Sequence, residues 1–473
     1  MTEFEIQAKD GMGRLAELRI AGHEITTPAL MPVVNPHLTP PDLGPAQAAI
    51  TNAYVLYNSE DHRDAAVDDG LHELLDFDGL IATDSGAYQA SVYGDDVVEV
   101  TNREILEFQD AVGSDLATPL DVPTPPDADE SQAERDLEVT RRRTREAREM
   151  DLDAALNVPI QGGVHPETRR WAAERAVEGD VYPIGAVVPL MQEYRYRELV
   201  DVVVGVKRGL PADSPVHLFG AGHPATFALA TALGCDLYDS AAYALYAEER
   251  RYLTPTGTYD VSEMDELPCE CPTCQRYEPY ELGYREIARH NLEVSYAELR
   301  RVREAIRGGR LLELVARRAT MHPKLKSGVE RLSDHAETVE KYDPAVKSAF
   351  FDLGGFRRPE VERHQRRLER LRDLDADRVV VTPRKDVRGR RLVLVPSFGP
   401  VAPELRSTYP LNSESVDVDD ASPRAQLDAV EGVERLARQV DAEVVFEHPG
   451  WRAFDPARLR EHDVEVVDLE AAG

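Results

Sequence analysis

Lysine is scarce in this chain: seven of its 55 basic residues are Lys, set against 87 Asp and Glu, and the formal net charge is −32. A deficit of positive charge on this scale argues against a polyanionic partner, because gripping a phosphate backbone rests on Lys and Arg. That veto is weak. The acidic residues are spread along the whole length instead of forming a tail, the pattern of a protein from a salt-loaded cytoplasm. In about 1 M salt the Debye length falls to about 3 Å, which screens most of the repulsion. No stretch approaches the roughly 18 to 20 apolar residues that a membrane span needs. The N-terminus, MTEFEIQAKDG, has no apolar core of a signal peptide, so a cytoplasmic protein without membrane association is the expectation. What is present suffices for a real core: of 473 residues 42% are hydrophobic and 30% charged, which fits two or three domains, one of them a large barrel.

The first 30 residues alternate apolar and polar around Gly-containing turns, which predicts a short antiparallel sheet. From about residue 29 to 245 short apolar runs take over: ALMPVV (29–34), AYVLY (53–57), GLIATDSG (79–86), LATPLDV (116–122), ALNVPIQ (155–161), YPIGAVV (182–188), VHLFGAG (216–222) and CDLYDS (235–240). Amphipathic stretches at 102–113, 131–150, 166–179 and 194–209 separate the later runs. Strands alternating with helices imply βαβ units and a parallel sheet, and eight runs suggest an α/β fold of the (β/α)8 TIM-barrel type. An open doubly wound sheet is the alternative, but no GxGxxG follows the first run.

A barrel demands that chemistry gather where strands end. Here the run ends carry Asp84, Asp121, Gln161, Gly185-Ala186 and Asp239. Each Asp could simply cap the following helix. Against that, Asp84 and Asp239 precede small residues (Ser-Gly-Ala and Ser-Ala-Ala) that leave room for a ligand.

Three of the four cysteines lie together as Cys269-Glu270-Cys271-Pro272-Thr273-Cys274. Thiolates this close converge on one soft ion, and Zn2+ takes four tetrahedral N or S ligands. Disulfides are the rival reading, disfavoured in a reducing compartment. His290 is the fourth ligand of choice, with His322 or Cys235 as substitutes. A site of three thiolates and one imidazole has no position for water, so the expected Zn2+, one per subunit, is structural.

After about residue 310 the pattern changes. Residues 357–372 and 384–391 are Arg-rich, either solvated helical surface or places where a phosphate backbone is held. RVVVTPR and RLVLVPSFG as strands, a helix at AQLDAVEGVERLARQV and a strand at AEVVFEHP predict a smaller α/β domain.

TDSGAYQ (83–89), LDVPTPP (120–126), PIQGG (159–163), PIGAVVPL (183–190), HLFGAGHP (217–224), YDSAAYALYA (238–247) and CxCxxC (269–274) followed by HNL (290–292) occur in the order of a tRNA-guanine transglycosylase. The chain resembles that family, most closely its archaeal branch, which initiates archaeosine formation. Where the queuosine-type bacterial enzymes carry Cys two positions after the pocket Asp, this chain has Pro123. The resemblance covers residues 1–325, with the zinc region at 265–295. AFFDLGGFRRPEV (349–361) and PSFGPVAPELRSTYPL (396–411) are similar to the archaeal accessory domain, here 340–473.

The resemblance implies exchange of guanine at position 15 of the tRNA D-arm for preQ0 by double displacement, with no nucleotide cofactor. By the family's motifs Asp239 is the nucleophile and Asp84 the acid/base and base-site residue. Asp121 accepts from the base's N1 and 2-amino donors, while Gln161 and the backbone at Gly185, Ala186 and Val187 read its carbonyl and ring edge. Partners implied are tRNA, guanine and preQ0, and a homodimer paired around the zinc region. Nothing after residue 411 resembles the PUA module of many archaeal members, so either another polypeptide supplies it or the lineage does without. Three other readings compete: an archaeosine synthase-like paralogue, which has lost the nucleophile and zinc ligands; a non-catalytic RNA-binding subunit; and a metal-dependent barrel hydrolase, for which the strand ends offer carboxylates but no His pair.

Overall fold

The computed structural model describes residues 2–35, 42–87, 100–347, 350–353, 355–371 and 374–471. Tyr88 and Gln89 of the TDSGAYQ motif lie outside them, as do Ala349 and Gly354 of the accessory segment. The chain divides into two units, Met1–Arg307 with Arg318–Gly328, and Gly308–Arg317 with Val329–Gly473.

The first unit begins with an antiparallel sheet of β1 (Glu3–Asp10), β2 (Gly13–Ile20) and β3 (His23–Thr27). Eight short strands follow: β4 (Ala29–Pro32), β5 (Ala48–Asn52), β6 (Leu80–Asp84), β7 (Leu116–Ala117), β8 (Ala155–Leu156), β9 (Tyr182–Ile184), β10 (Val216–Leu218) and β11 (Leu237–Ser240). They form two parallel four-stranded sheets, ordered β4-β11-β10-β9 and β5-β6-β7-β8. Isolated parallel bridges link Val33 to Ile50, Asn157 to Val181 and Ile160 to Ile184. The edge strands of one sheet therefore run beside those of the other. Helices Asn102–Ala111, Glu130–Glu149, Pro166–Glu174 and Tyr196–Gly209 lie where the amphipathic stretches predict them.

One strand is displaced from its expected position. AYVLY (53–57) is helical, and the strand is the preceding AAITN. Asn52 makes the switch: its Oδ1 accepts from the Val55 N–H at 3.0 Å, an N-cap that satisfies an otherwise orphaned donor and starts a helix where apolar content alone suggests a strand.

The N-terminal sheet closes off the strand starts. Leu18, Ile20 and Ile25 pack with Ala29, Met31, Ile50, Leu80, Leu116 and Leu237 in one buried cluster, each Leu, Ile or Met side chain contributing about 1.5–3 kcal/mol by leaving water. Buried Arg14 on β2 donates through Nε to Asp236 at 3.0 Å, and Asp236 in turn accepts from the Val216 N–H at 2.8 Å. The strand ends carry the polar side chains described below.

The second unit holds a five-stranded sheet ordered Gly399–Val401, Arg390–Val395, Arg378–Thr382, Glu443–His448 and Val464–Asp468. The helix Pro423–Ala437 lays Ala425, Ala429, Val433 and Leu436 into a core with Val379, Val381, Leu392 and Phe446. Its Arg-rich segment fits neither expectation at the start of the helix Pro359–Leu368. Arg357, Arg358 and Arg363 are buried. Arg357 pairs with Glu362, Asp428 and Glu431, Arg358 with Glu313 and Glu360, and Arg363 with Glu340 and Asp343. These guanidiniums neutralise interior carboxylates and are not offered to a phosphate. Among the described residues no helix is long and apolar enough to cross a membrane.

Candidate active site and metal centre

Three carboxylates meet at the strand ends. Asp84 is the last residue of β6, Asp239 lies in β11, and Asp121 follows β7. Their mutual repulsion is felt at Asp84, whose carboxyl is pushed up to about 7, first by burial and then by the charges of Asp121 and Asp239. Asn52, the cap just described, donates through Nδ2 to Asp84 at 3.2 Å, so one side chain both starts a helix and steadies the acid. Helix capping does not account for the other two. The helix after Asp121 is capped by Asp129, and that after Asp239 has Ala241 at its N-cap. Asp84 does take the Ser85 and Gly86 N–H groups as a cap would, while still facing the other two carboxylates.

Asp121 accepts from Gln161 Nε2 at 2.5 Å. Burial pushes its carboxyl up, opposed by that hydrogen bond and by the charges of Arg143 and Arg169. Gly185 touches this pair: a Cβ there would lie 2.2 Å from Gln161 Nε2 and 3.2 Å from Asp121 Oδ2, so only glycine fits. Ala186 next to it holds φ at +58°, a left-handed turn uncommon outside glycine. Fully buried Arg169 fixes the floor, donating to the carbonyls of Gly163 at 2.8 Å, Ile160 at 2.5 Å and Gly185 at 2.9 Å. Val187 is buried behind them.

Asp239 is held from two sides. His217 Nε2 lies 2.9 Å from its Oδ1, and the Gly220 N–H donates to the same oxygen at 2.7 Å. Both contacts fall on the same oxygen, and Oδ2 has no hydrogen bond among the described residues. All five strand-end calls, Asp84, Asp121, Gln161, Gly185-Ala186 and Asp239, thus fall on one side of the sheets. His217, Arg169 and Asn52 are missed by sequence reasoning. A signal existed for His217, a lone polar residue between Val216 and Leu218 in a buried strand; none marks Arg169, which sits in an ordinary amphipathic helix.

The cysteine cluster lies between the hairpin β12 (Arg251–Thr254) and β13 (Gly257–Asp260) and the helix Tyr284–Arg307. Sγ of Cys269, Cys271 and Cys274 and Nδ1 of His290 all lie within 4.8 Å of one another, with Cys271 at 3.4 Å and Cys274 at 3.2 Å from the ring nitrogen. His290 Nε2 donates to the Leu253 carbonyl at 2.9 Å, which leaves Nδ1 as a lone pair turned toward the thiols, as a ligand must be. Tyr252 stacks on the His290 ring at 3.6 Å between centroids. The group can hold a metal ion. Cys235 is a buried core residue and His322 stacks on Tyr194 instead.

The family described as queuine tRNA-ribosyltransferase matches residues 9–324. The chain is 46% identical over 494 residues to a tRNA-guanine(15) transglycosylase of Haloarcula marismortui, covering 100% of both chains. It is 44% identical to that of Haloferax volcanii, covering 99% of this chain and 94% of the relative, and 42% identical to that of Archaeoglobus fulgidus, covering 96% and 95%. With likeness running through the whole length and the strand-end carboxylates in place, the chain belongs to the queuine tRNA-ribosyltransferase family, and it is a glycosyltransferase.

Proposed function

We propose that this protein exchanges guanine at position 15 of tRNA for preQ0, the first tRNA-level step toward archaeosine. The observation that carries the reading is the grouping of three carboxylates in two environments. Asp239 is anchored by His217 and Gly220 with one oxygen spare, while Asp84 is pushed up to about 7. Such a split suits a nucleophile beside a proton carrier.

The flipped guanosine enters with its base against Asp121 and Gln161. Asp121 accepts from N1–H and the 2-amino group, and Gln161, with one N–H spent on Asp121, offers its second to the base carbonyl. Gly185 leaves the space the ring needs. The free oxygen of Asp239 attacks C1′, the C1′–N9 bond breaks, and the departing guanine takes the proton of Asp84. The ribose is then an ester of Asp239. PreQ0 replaces guanine, returns its N9 proton to Asp84 and attacks C1′, which frees Asp239. Two inversions retain the ribose configuration.

The eight parallel strands read as a closed (β/α)8 barrel, supported by the three bridges between the two sheets. Residues 1–325 are the transglycosylase part and 340–473 an accessory domain. The ion at Cys269, Cys271, Cys274 and His290 is zinc, which suits a closed shell of three thiolates and one imidazole and serves folding. Homodimer formation and a separate PUA-type partner follow from the family resemblance alone. Incubating the protein with tRNA and running denaturing gels tests the reading: a protein–RNA adduct that preQ0 or guanine dissolves is expected, and none with Asp239→Asn. An undiminished adduct in that variant would remove Asp239 from the role.

A further inference from the structure

The first unit carries a second cluster of metal-ligand side chains, at the strand starts and away from the carboxylate site. His23 opens β3, His72 lies in the short helix Leu71–Leu75, and Asp115 immediately precedes β7. One ligand atom from each, the three within 4.8 Å of one another, brings these separate segments together.

Hydrogen-bond chemistry says what the cluster lacks. His72 Nδ1 lies 2.8 Å from the Phe77 carbonyl oxygen. A carbonyl only accepts, so the proton is on Nδ1, and in the neutral ring Nε2 is a bare lone pair. That lone pair points at Asp115 Oδ2 across 3.1 Å. His23 aims its own Nε2 at the other oxygen, Oδ1, at 3.5 Å, and the two rings stack with centroids 5.9 Å apart. Two imidazoles therefore converge on one carboxylate with a pair of electron-rich atoms face to face. One divalent ion serves all three groups.

The spacing suits it. Zn–N and Zn–O bonds of about 2.0–2.2 Å put tetrahedral ligand atoms roughly 3.3 Å apart; His72 Nε2 lies 3.1 Å from Asp115 Oδ2, His23 Nε2 3.5 Å from Oδ1, and one ligand atom of each within 4.8 Å of the others, so small side-chain shifts bring both rings and one carboxylate oxygen onto a common ion. The surroundings are those of a held ligand set: the Nδ1–H to carbonyl contact fixes the His72 ring, and the Ile81 N–H donates to Asp115 Oδ2 at 2.7 Å. Side-chain exposures of 25% for His23, 39% for His72 and 15% for Asp115 leave a fourth position open to water.

We propose that His23, His72 and Asp115 form a second divalent transition-metal site, which clips the N-terminal sheet and the helix Leu71–Leu75 to the start of β7. Imidazole and carboxylate together select a borderline ion such as Zn2+ over Mg2+ or Ca2+. The clip stands apart from transfer chemistry, because Asp84 and Asp239 occupy the opposite ends of their strands.

Calorimetric titration of Zn2+ into full-length protein whose cysteine site is already zinc-loaded tests this, with Mg2+ as the control. Wild type should take up one further saturable equivalent of Zn2+ and none of Mg2+, and its Tm should rise with added Zn2+. His23→Gln and His72→Gln, both at partly exposed positions, should each weaken that uptake by more than the about 10- to 100-fold that follows loss of a mere outer-shell contact. Their cysteine-bound zinc should be unchanged. No second equivalent up to millimolar Zn2+, or uptake equal in wild type and both variants, overturns the site and leaves an ordinary His–Asp ion pair.

Discussion

His217 Nε2 lies 2.9 Å from Asp239 Oδ1, and the His217 side chain is wholly buried. The carboxylate only accepts, so Nε2–H donates to it and fixes its rotamer, while Nδ1 has no partner among the described residues. His217 is thus a positioning residue for the proposed nucleophile. His217→Phe keeps the ring packed on Phe219 and removes the donor. We expect kcat to fall about 10- to 100-fold, the scale on which an orienting partner acts, with KM for the base little changed. A rise in KM at constant kcat would place His217 in base binding instead.

Asp84 links the site to stability. Its carboxyl titrates near 7 in the folded chain against an ordinary 3.8, so folding favours its protonated form. That stabilisation is complete below about pH 4 and is lost as pH rises through 7. Asp84→Asn, neutral at every pH, should therefore melt above wild type at pH 8, by about 2–4 °C for each kcal/mol relieved. The gap should shrink toward pH 4, while exchange activity is lost. Thermal melts across that range check the sign; a gap that widens on acidification would contradict the burial argument.

Gly185 lines the proposed base pocket beside Gln161 and Asp121. Gly185→Ala places a methyl against Gln161 and Asp121, and the expected outcome is loss of guanine and preQ0 incorporation. Unchanged incorporation would mean the base lies elsewhere.

The strand-end carboxylates are legible because parallel α/β sheets gather polar residues at one end of apolar runs, and that contrast survives in a single sequence. The cysteine cluster was legible for a similar reason, since its ligands are close in the chain. Two kinds of feature were hidden. The second strand is displaced because AYVLY is the more apolar of the two adjacent segments, AAITN ending in Thr and Asn, and the choice turns on one hydrogen bond that the Asn52 side chain accepts. Arg357, Arg358 and Arg363 read as surface charge because their carboxylate partners include residues as distant as Glu313 and Glu431.

Those buried arginines carry their own prediction. Arg357→Ala removes one cation from Glu362, Asp428 and Glu431, which keep Arg366, Arg424 and Arg435, so the expected loss lies below the about 3–5 kcal/mol of a fully broken buried pair. Denaturant unfolding should show that loss, whereas the salt dependence of tRNA binding should stay as in wild type. A shallower salt slope with intact stability would return Arg357 to phosphate contact.

Removing the cysteine-bound metal should act through folding. Cys271→Ala is expected to lose one bound ion per chain and to lower Tm, because a closed ligand set makes metal binding part of folding free energy. Metal analysis alongside melting checks it; full metal content in the variant would show that Cys271 is not a ligand.

Base exchange at one tRNA position is tested with labelled guanine. Wild-type protein in molar KCl should incorporate radiolabelled guanine into an unmodified tRNA transcript with guanine at position 15. It should incorporate none when that position is adenine, and unlabelled preQ0 should compete. Zinc-loaded, folded protein that leaves the position-15 guanine unlabelled, or that labels both transcripts equally, would contradict the account.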